Sequence, residues 1–164
     1  MLKPAILYKE ELEKKFAELL YTEDYFYYNG YAHCNDLPTI KPEDSYYQYA
    51  IIDKDKVVGY LTYYVNMWSD SAERFGMISF NKGNLTVTMD VYAIIKELIK
   101  KHRRIEWRCI EGNPVNRIYK KIVEKYNGYI STAHKCCVDN DGNYRDSYTY
   151  EILKERAISN EVSK

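Results

Sequence analysis

No charge of one sign dominates this chain: basic and acidic residues number 24 each over 164 residues. No global field therefore draws it to nucleic acid or to an anionic membrane, and recognition must be local. Long apolar runs are missing too, and the start M-L-K-P-A-I-L-Y-K-E has neither an extended apolar core nor a cleavage site, so a cytosolic location without membrane contact is expected. Cysteine is sparse and shows no C-x-x-C spacing: the four are Cys34, Cys109, Cys136 and Cys137. Reduced, mostly buried thiols are expected, with adjacent Cys136 and Cys137 on opposite faces of a strand. His33, His102 and His134 are isolated in sequence, and two adjacent strand cysteines beside His134 cannot both face one ion, so no metal site is expected. There is no internal repeat. The length suits one domain with a sizeable core, expected over residues 1–155, followed by a polar tail, 156–164, that frays.

Tyrosine is abundant, at 19 residues. Tyrosines fill a core and still offer a hydroxyl at its edge, which points to a wide, half-polar interior or cleft.

Along the chain, Leu12, Phe16, Leu19 and Leu20 recur at helical spacing after Pro4 and predict an amphipathic helix of about four turns. Residues 21–42, with Y-F-Y-Y-N-G-Y and two prolines, read as irregular or short-helical. Gln48–Ile52 and Val57–Val65 flank the polar D-K-D-K and predict a hairpin. A turn at N-M-W-S-D-S-A-E leads to a strand near Arg74, whose F-G-M-I-S-F is apolar on both faces and so central. From Thr86 the period changes: Val87, Val91, Ile94, Ile95 and Leu98 share a helical face as far as His102. Arg104–Ile110 alternates as a half-buried strand. Asn113 suits an N-cap with Pro114 at the first helical position, and Val115, Ile118, Tyr119, Ile122 and Tyr126 follow at helical spacing until Asn127-Gly128 stops the helix. Tyr129–Val138 and Tyr144–Leu153 predict a hairpin across D-N-D-G-N. Hairpins first, then two helices alternating with strands, give an α+β sheet with helices on both faces.

Three features in this order resemble the GCN5-related N-acetyltransferase (GNAT) family over Tyr46–Ile152. They are the hairpin A-I-I-D-K-D-K-V-V-G-Y, the strand, loop and helix from Met77 to Leu98, and N-P-V-N-R-I-Y-K-K followed by Y-N-G-Y-I. The resemblance implies a mixed, mostly antiparallel sheet with a V-shaped splay between its fourth and fifth strands, here Gly76–Phe80 and Arg104–Ile110. It implies an acyl-coenzyme A donor, acetyl-CoA foremost, and a small-molecule or peptide amine as acceptor. The diphosphate would lie on backbone N–H groups of Lys82, Gly83, Asn84, Leu85 and Thr86, because a helix start has unpaired donors and a favourable dipole. The loop there, N-K-G-N-L-T, holds one glycine where the family's is glycine-rich. The edge amides of Ser79 and Phe80 would polarise the thioester oxygen, Asn113 and Asn116 would bond the donor's arm, and Tyr119 would protonate the departing sulfur.

A base for the amine would come from Glu106 or Glu111, the carboxylates nearest the predicted slot, or from water. Each residue also has a structural reading: Tyr119 as a core tyrosine, Asn113 as a helix cap, and N-K-G-N-L-T as a plain loop capped by Thr86 or Thr88. The alternative function is a protein of this fold that has lost donor binding and serves as a binding or regulatory module, for example as a homodimer through its tyrosine-rich surface. Lys100–Arg104 with Arg108 could touch phosphates, but cations also belong at a helix C-terminus, and no nucleic-acid partner is expected.

Overall fold

The computed structural model describes residues 1–22, 25–29, 37–81 and 83–162. Lys82, His33 and Cys34 from the reading above lie outside the described residues.

The elements in chain order are β1 (Leu2–Pro4), a single 3-10 turn (Ala5–Tyr8), α1 (Lys9–Leu20), α2 (Phe26–Asn29), β2 (Tyr46–Asp53), β3 (Lys56–Asn66) and β4 (Ser71–Ser79). They continue with α3 (Leu85–Lys101), β5 (Arg104–Ile110), α4 (Asn116–Lys125), β6 (Tyr129–Val138), β7 (Tyr144–Leu153) and α5 (Lys154–Val162). Seven strands form one sheet in the order β1-β2-β3-β4-β5-β7-β6, antiparallel throughout except for the parallel β4–β5 pair. This is the mixed, mostly antiparallel sheet that the family resemblance implies.

Each face carries its own core. The larger one gathers Val87, Val91, Ile94, Ile95 and Leu98 of α3, Tyr119, Ile122 and Val123 of α4, and Ile105 and Trp107 of β5. The smaller one seats Leu12 and Phe16 of α1 on Ala50, Ile52, Val57, Tyr60 and Ile78. Phe16 is fully buried and meets Tyr60 edge-on at 5.0 Å, so Phe16→Ala would cost about 3–5 kcal/mol.

Three local features differ from the sequence reading. The edge strand β1 is three residues long and pairs Leu2 with Ile51, too short to carry an alternation. The tail expected to fray is helical as α5, and its Ala157 is buried with the larger core, because one small apolar side chain suffices where the helix lies on others. Cys136 and Cys137 share a side, with Sγ atoms 3.6 Å apart. The β6–β7 register shifts between Ala133 and Cys137, and Lys135 has φ 51°, so a bulge breaks the alternation that would separate the two. At the end of α4, Asn127 takes φ 52° and Gly128 N–H closes on Val123 O at 2.8 Å. A Cβ on Gly128 would lie 2.3 Å from Glu151 O, so only glycine lets β7 approach there.

Candidate active site

The centre of the sheet opens because β4 and β5 pair only at Ser71 with Arg104 and Ala72 with Ile105. Beyond those pairs β4 follows β3 and β5 follows β7, leaving a wedge between them. A register shift between Thr62 and Tyr64, with Arg74 at φ 52°, marks a bulge where β4 departs, the device that bends a strand away from its neighbour.

Antiparallel pairing fixes which backbone groups face the wedge. Phe80 N–H donates to Val58 O at 3.0 Å, so Phe80 turns toward β3, and alternation along the ladder turns Ser79 and Met77 the other way, into the wedge. The carbonyl of Ser79 accepts there from the Tyr28 hydroxyl at 3.5 Å. On the opposite edge, Glu111 N–H donates to Asp146 O at 2.8 Å, which assigns the odd residues of β5 to β7 and leaves the N–H and C=O of Arg108 in the wedge. Of the two amides expected to face the slot, Ser79's does. Phe80's is committed to Val58, and Met77 takes its place.

A cavity of about 240 Å³ fills the wedge and runs through the sheet. From the α3 and α4 side it is lined by Phe75, Met77, Cys109, Val115 and Tyr119. On the other side stand Tyr27, Tyr28, Tyr46, Tyr60 and Thr62. A second cavity of about 440 Å³ continues from Tyr27, Tyr28 and Arg108 across β5, β7 and β6 to Cys136 and Cys137. The tyrosine-rich interior expected from composition is this passage.

Tyr119 reaches the passage from α4, packed 5.4 Å from Trp107 and 5.5 Å from Tyr150. Burial holds its hydroxyl well above the usual phenol range, so it stays protonated at any working pH. It makes no hydrogen bond among the described residues. Beside it, burial pushes the Cys109 thiol up to about 12.

Asn113 lines the cavity, and its side chain accepts from Val115 N–H at 3.0 Å. That bond closes a turn before the helix, which begins at Asn116 rather than at Pro114. Asn116 is buried and committed at both ends: its amide donates to Ile110 O at 2.7 Å, and its carbonyl oxygen accepts from the Tyr150 hydroxyl at 2.8 Å. It braces β5, β7 and α4, and it does not line the cavity.

At the head of α3 the cap is Asn84, whose side chain accepts from Val87 N–H at 3.2 Å, in place of Thr86 or Thr88. The amides of Leu85 and Thr86 keep no partner among the described residues. No acidic residue stands in the first turn of this 17-residue helix. Gly83 takes φ 74°, and a Cβ there would meet nothing within 4 Å among the described residues. These residues fit an anionic group such as a diphosphate.

Glu106 is drawn away from the passage. Its carboxylate binds Arg104, whose Nε also donates to Glu151 at 2.7 Å, and it does not line either cavity. Glu111 accepts from Asp146 N–H at 3.2 Å. In the basic cluster, Lys101 pairs with Glu97 and Arg104 with two carboxylates. Sequence reasoning passed over Met77 and, as a lining residue, Arg108. The signal for Arg108 was present, because β5 buries Ile105, Trp107 and Cys109 on one face and must offer Arg108 on the other.

No family model matches the chain, and no curated protein matches it either. Solved structures do. A GCN5-related N-acetyltransferase from Brucella melitensis aligns with TM-score 0.60 and 15% identity over 99% of this chain and 79% of that one. The protein smu.2055 from Streptococcus mutans UA159 aligns with TM-score 0.65 and 15% identity over 94% and 99%. A spermidine N-acetyltransferase chimera from Vibrio cholerae and hSSAT aligns with TM-score 0.57 and 14% identity over 71% of each. The chain spans 63%, 64% and 65% of the length of three further acetyltransferases. At these identities the likeness establishes the fold, that of the GCN5-related N-acetyltransferases.

Proposed function

We propose that this fold works here as an N-acyltransferase, moving an acyl group, acetyl foremost, from a coenzyme A thioester to an amine by direct transfer. The observation that carries the reading is the passage through the sheet between two bare strand edges. One mouth lies on the α3 and α4 face and the other on the α1 and α2 face, so donor and acceptor can meet from opposite sides.

The donor supplies an acyl group already activated on sulfur. The chain's residues do the rest. Leu85 and Thr86 N–H, at the positive end of α3, hold the diphosphate. Met77 and Ser79 N–H, fixed by the ladder to β3, orient the donor's amide-bearing arm and stabilise negative charge developing on the acyl oxygen. Tyr119 keeps a proton on a hydroxyl at the passage wall, suited to delivery onto the leaving sulfur. Packed aromatic walls exclude bulk water from the centre. Among the described residues no carboxylate lines either cavity, so the acceptor arrives as the free amine or loses its proton to water. A cytosolic location fits such a donor, and among the described residues no helix is long and apolar enough to cross a membrane.

Thermal denaturation with acetyl-CoA tests the reading. At a hundred times its dissociation constant the ligand should add about 2.7 kcal/mol of stability. No shift at millimolar acetyl-CoA would overturn donor binding and leave the fold as a binding module.

A further inference from the structure

We infer that the acceptor amine carries an anionic group, a carboxylate or phosphate, which Arg108 binds. This rests on the acyl-transfer reading of the passage. Arg108 lines both cavities, at the point where one becomes the other, and among the described residues it is the only charged one lining either. The remaining walls are aromatic, aliphatic, hydroxyl, amide or thiol.

Three of the other arginines show what this chain does with a guanidinium it uses structurally. Two residues earlier on the same strand, Arg104 holds Glu106 and Glu151. Arg145 binds Asp139 at 2.9 Å, and Arg156 donates to Asn127 at 3.1 Å. Arg108 has no acidic or carbonyl partner among the described residues. Its side chain projects on the face opposite Trp107, toward Tyr27 and Tyr28, while the open amides of α3 hold a diphosphate separately. A guanidinium fork with its donors free matches carboxylate or phosphate bidentately. A polyamine would bring a second cation against that fork with no carboxylate among the described wall residues to receive it. The acceptor class is therefore an amine with an acid function and an apolar or aromatic body, of amino-acid or phosphoamine type.

The test uses the full chain and matched amines: L-phenylalanine against L-phenylalaninamide, O-phosphoethanolamine against ethanolamine, and spermidine as polycation. Release of free thiol from acetyl-CoA gives kcat/KM for each. The acid of a pair should exceed its neutral partner by about 10- to 100-fold, and the preferred pair distinguishes carboxylate from phosphate. Arg108→Ala should collapse that ratio toward one, and Arg108→Lys should keep part of it. Equal rates within both pairs, preference for spermidine, or a ratio unchanged in Arg108→Ala would overturn the inference.

A binding measurement separates this inference from the reading beneath it. Calorimetric titration with N-acetyl-L-phenylalanine and its amide needs no turnover. Tighter binding of the acid, lost in Arg108→Ala, upholds the anion site even if acetyl-CoA fails to bind. Indifference to the charge overturns it even if acetyl-CoA binds well.

Discussion

Asn116 and Tyr119 stand one turn apart on α4, and one is fully bonded where the other is bare. Asn116 ties Ile110 O and the Tyr150 hydroxyl inside the core. Asn116→Leu should cost about 1–3 kcal/mol in urea denaturation, because Tyr150 then keeps a buried hydroxyl without a partner. Adding Tyr150→Phe should recover part of that loss, and full additivity would refute the coupling. For Tyr119 the expectation reverses. Its hydroxyl makes no bond among the described residues, so Tyr119→Phe should leave stability within about 0.5 kcal/mol. Turnover should drop by about a hundredfold or more with acetyl-CoA affinity unaltered. Undiminished turnover would remove it as the proton donor. Sequence reasoning assigned Asn116 to the donor's arm and Tyr119 to the departing sulfur, since a sequence pattern cannot tell a committed side chain from a free one.

The elements divide into those that periodicity reveals and those that it cannot. Helix α3 runs Leu85–Lys101 against an expected start at Thr86, because six buried positions repeat along it. The β6–β7 hairpin was legible from D-N-D-G-N, yet its bulge was not, since a register shift leaves no compositional trace. Two tests belong to that hairpin. Asp146 is held below the usual carboxylate range by Lys135 N–H and then by His134, and Asp139, against its own desolvation, by Asn143 N–H and Arg145. A lowered folded pKa contributes stability that is present above the unfolded value, near 3.8, and is lost as pH falls through the lower one. Amide protection at Lys135, Asp141 and Asn143 should therefore hold at pH 5 and fail only below about 3.8; loss already at pH 5 would contradict the assignment. The thiol of Cys137 is pushed up to about 11 by burial and by Cys136, so it is almost wholly protonated at pH 8. Peptide mapping after iodoacetamide should find exposed Cys136 labelled first, and Cys137 labelled about tenfold faster at pH 9 than at pH 8.

At the scale of the whole molecule, the wedge is an absence of hydrogen bonds, and no residue pattern spells an absence. Only the order of elements, through the family resemblance, placed it between β4 and β5. Which amides face it followed from ladder parity, which needs the register. In amide exchange, Phe80 should be protected in the free protein, whereas Met77, Ser79 and Arg108 should exchange fast and slow down when acetyl-CoA is added. Protection of all four beforehand would mean that the edges are already paired.

The two tryptophans give that opening an optical handle. Trp68, in the turn before β4, is fully exposed, while Trp107 is fully buried between Phe75 of β4 and Tyr150 of β7. Iodide should extinguish the red-shifted emission of the first and leave the blue-shifted emission of the second. That residual band sits where the two halves of the sheet diverge, so its intensity would follow the angle between them in real time, without a label.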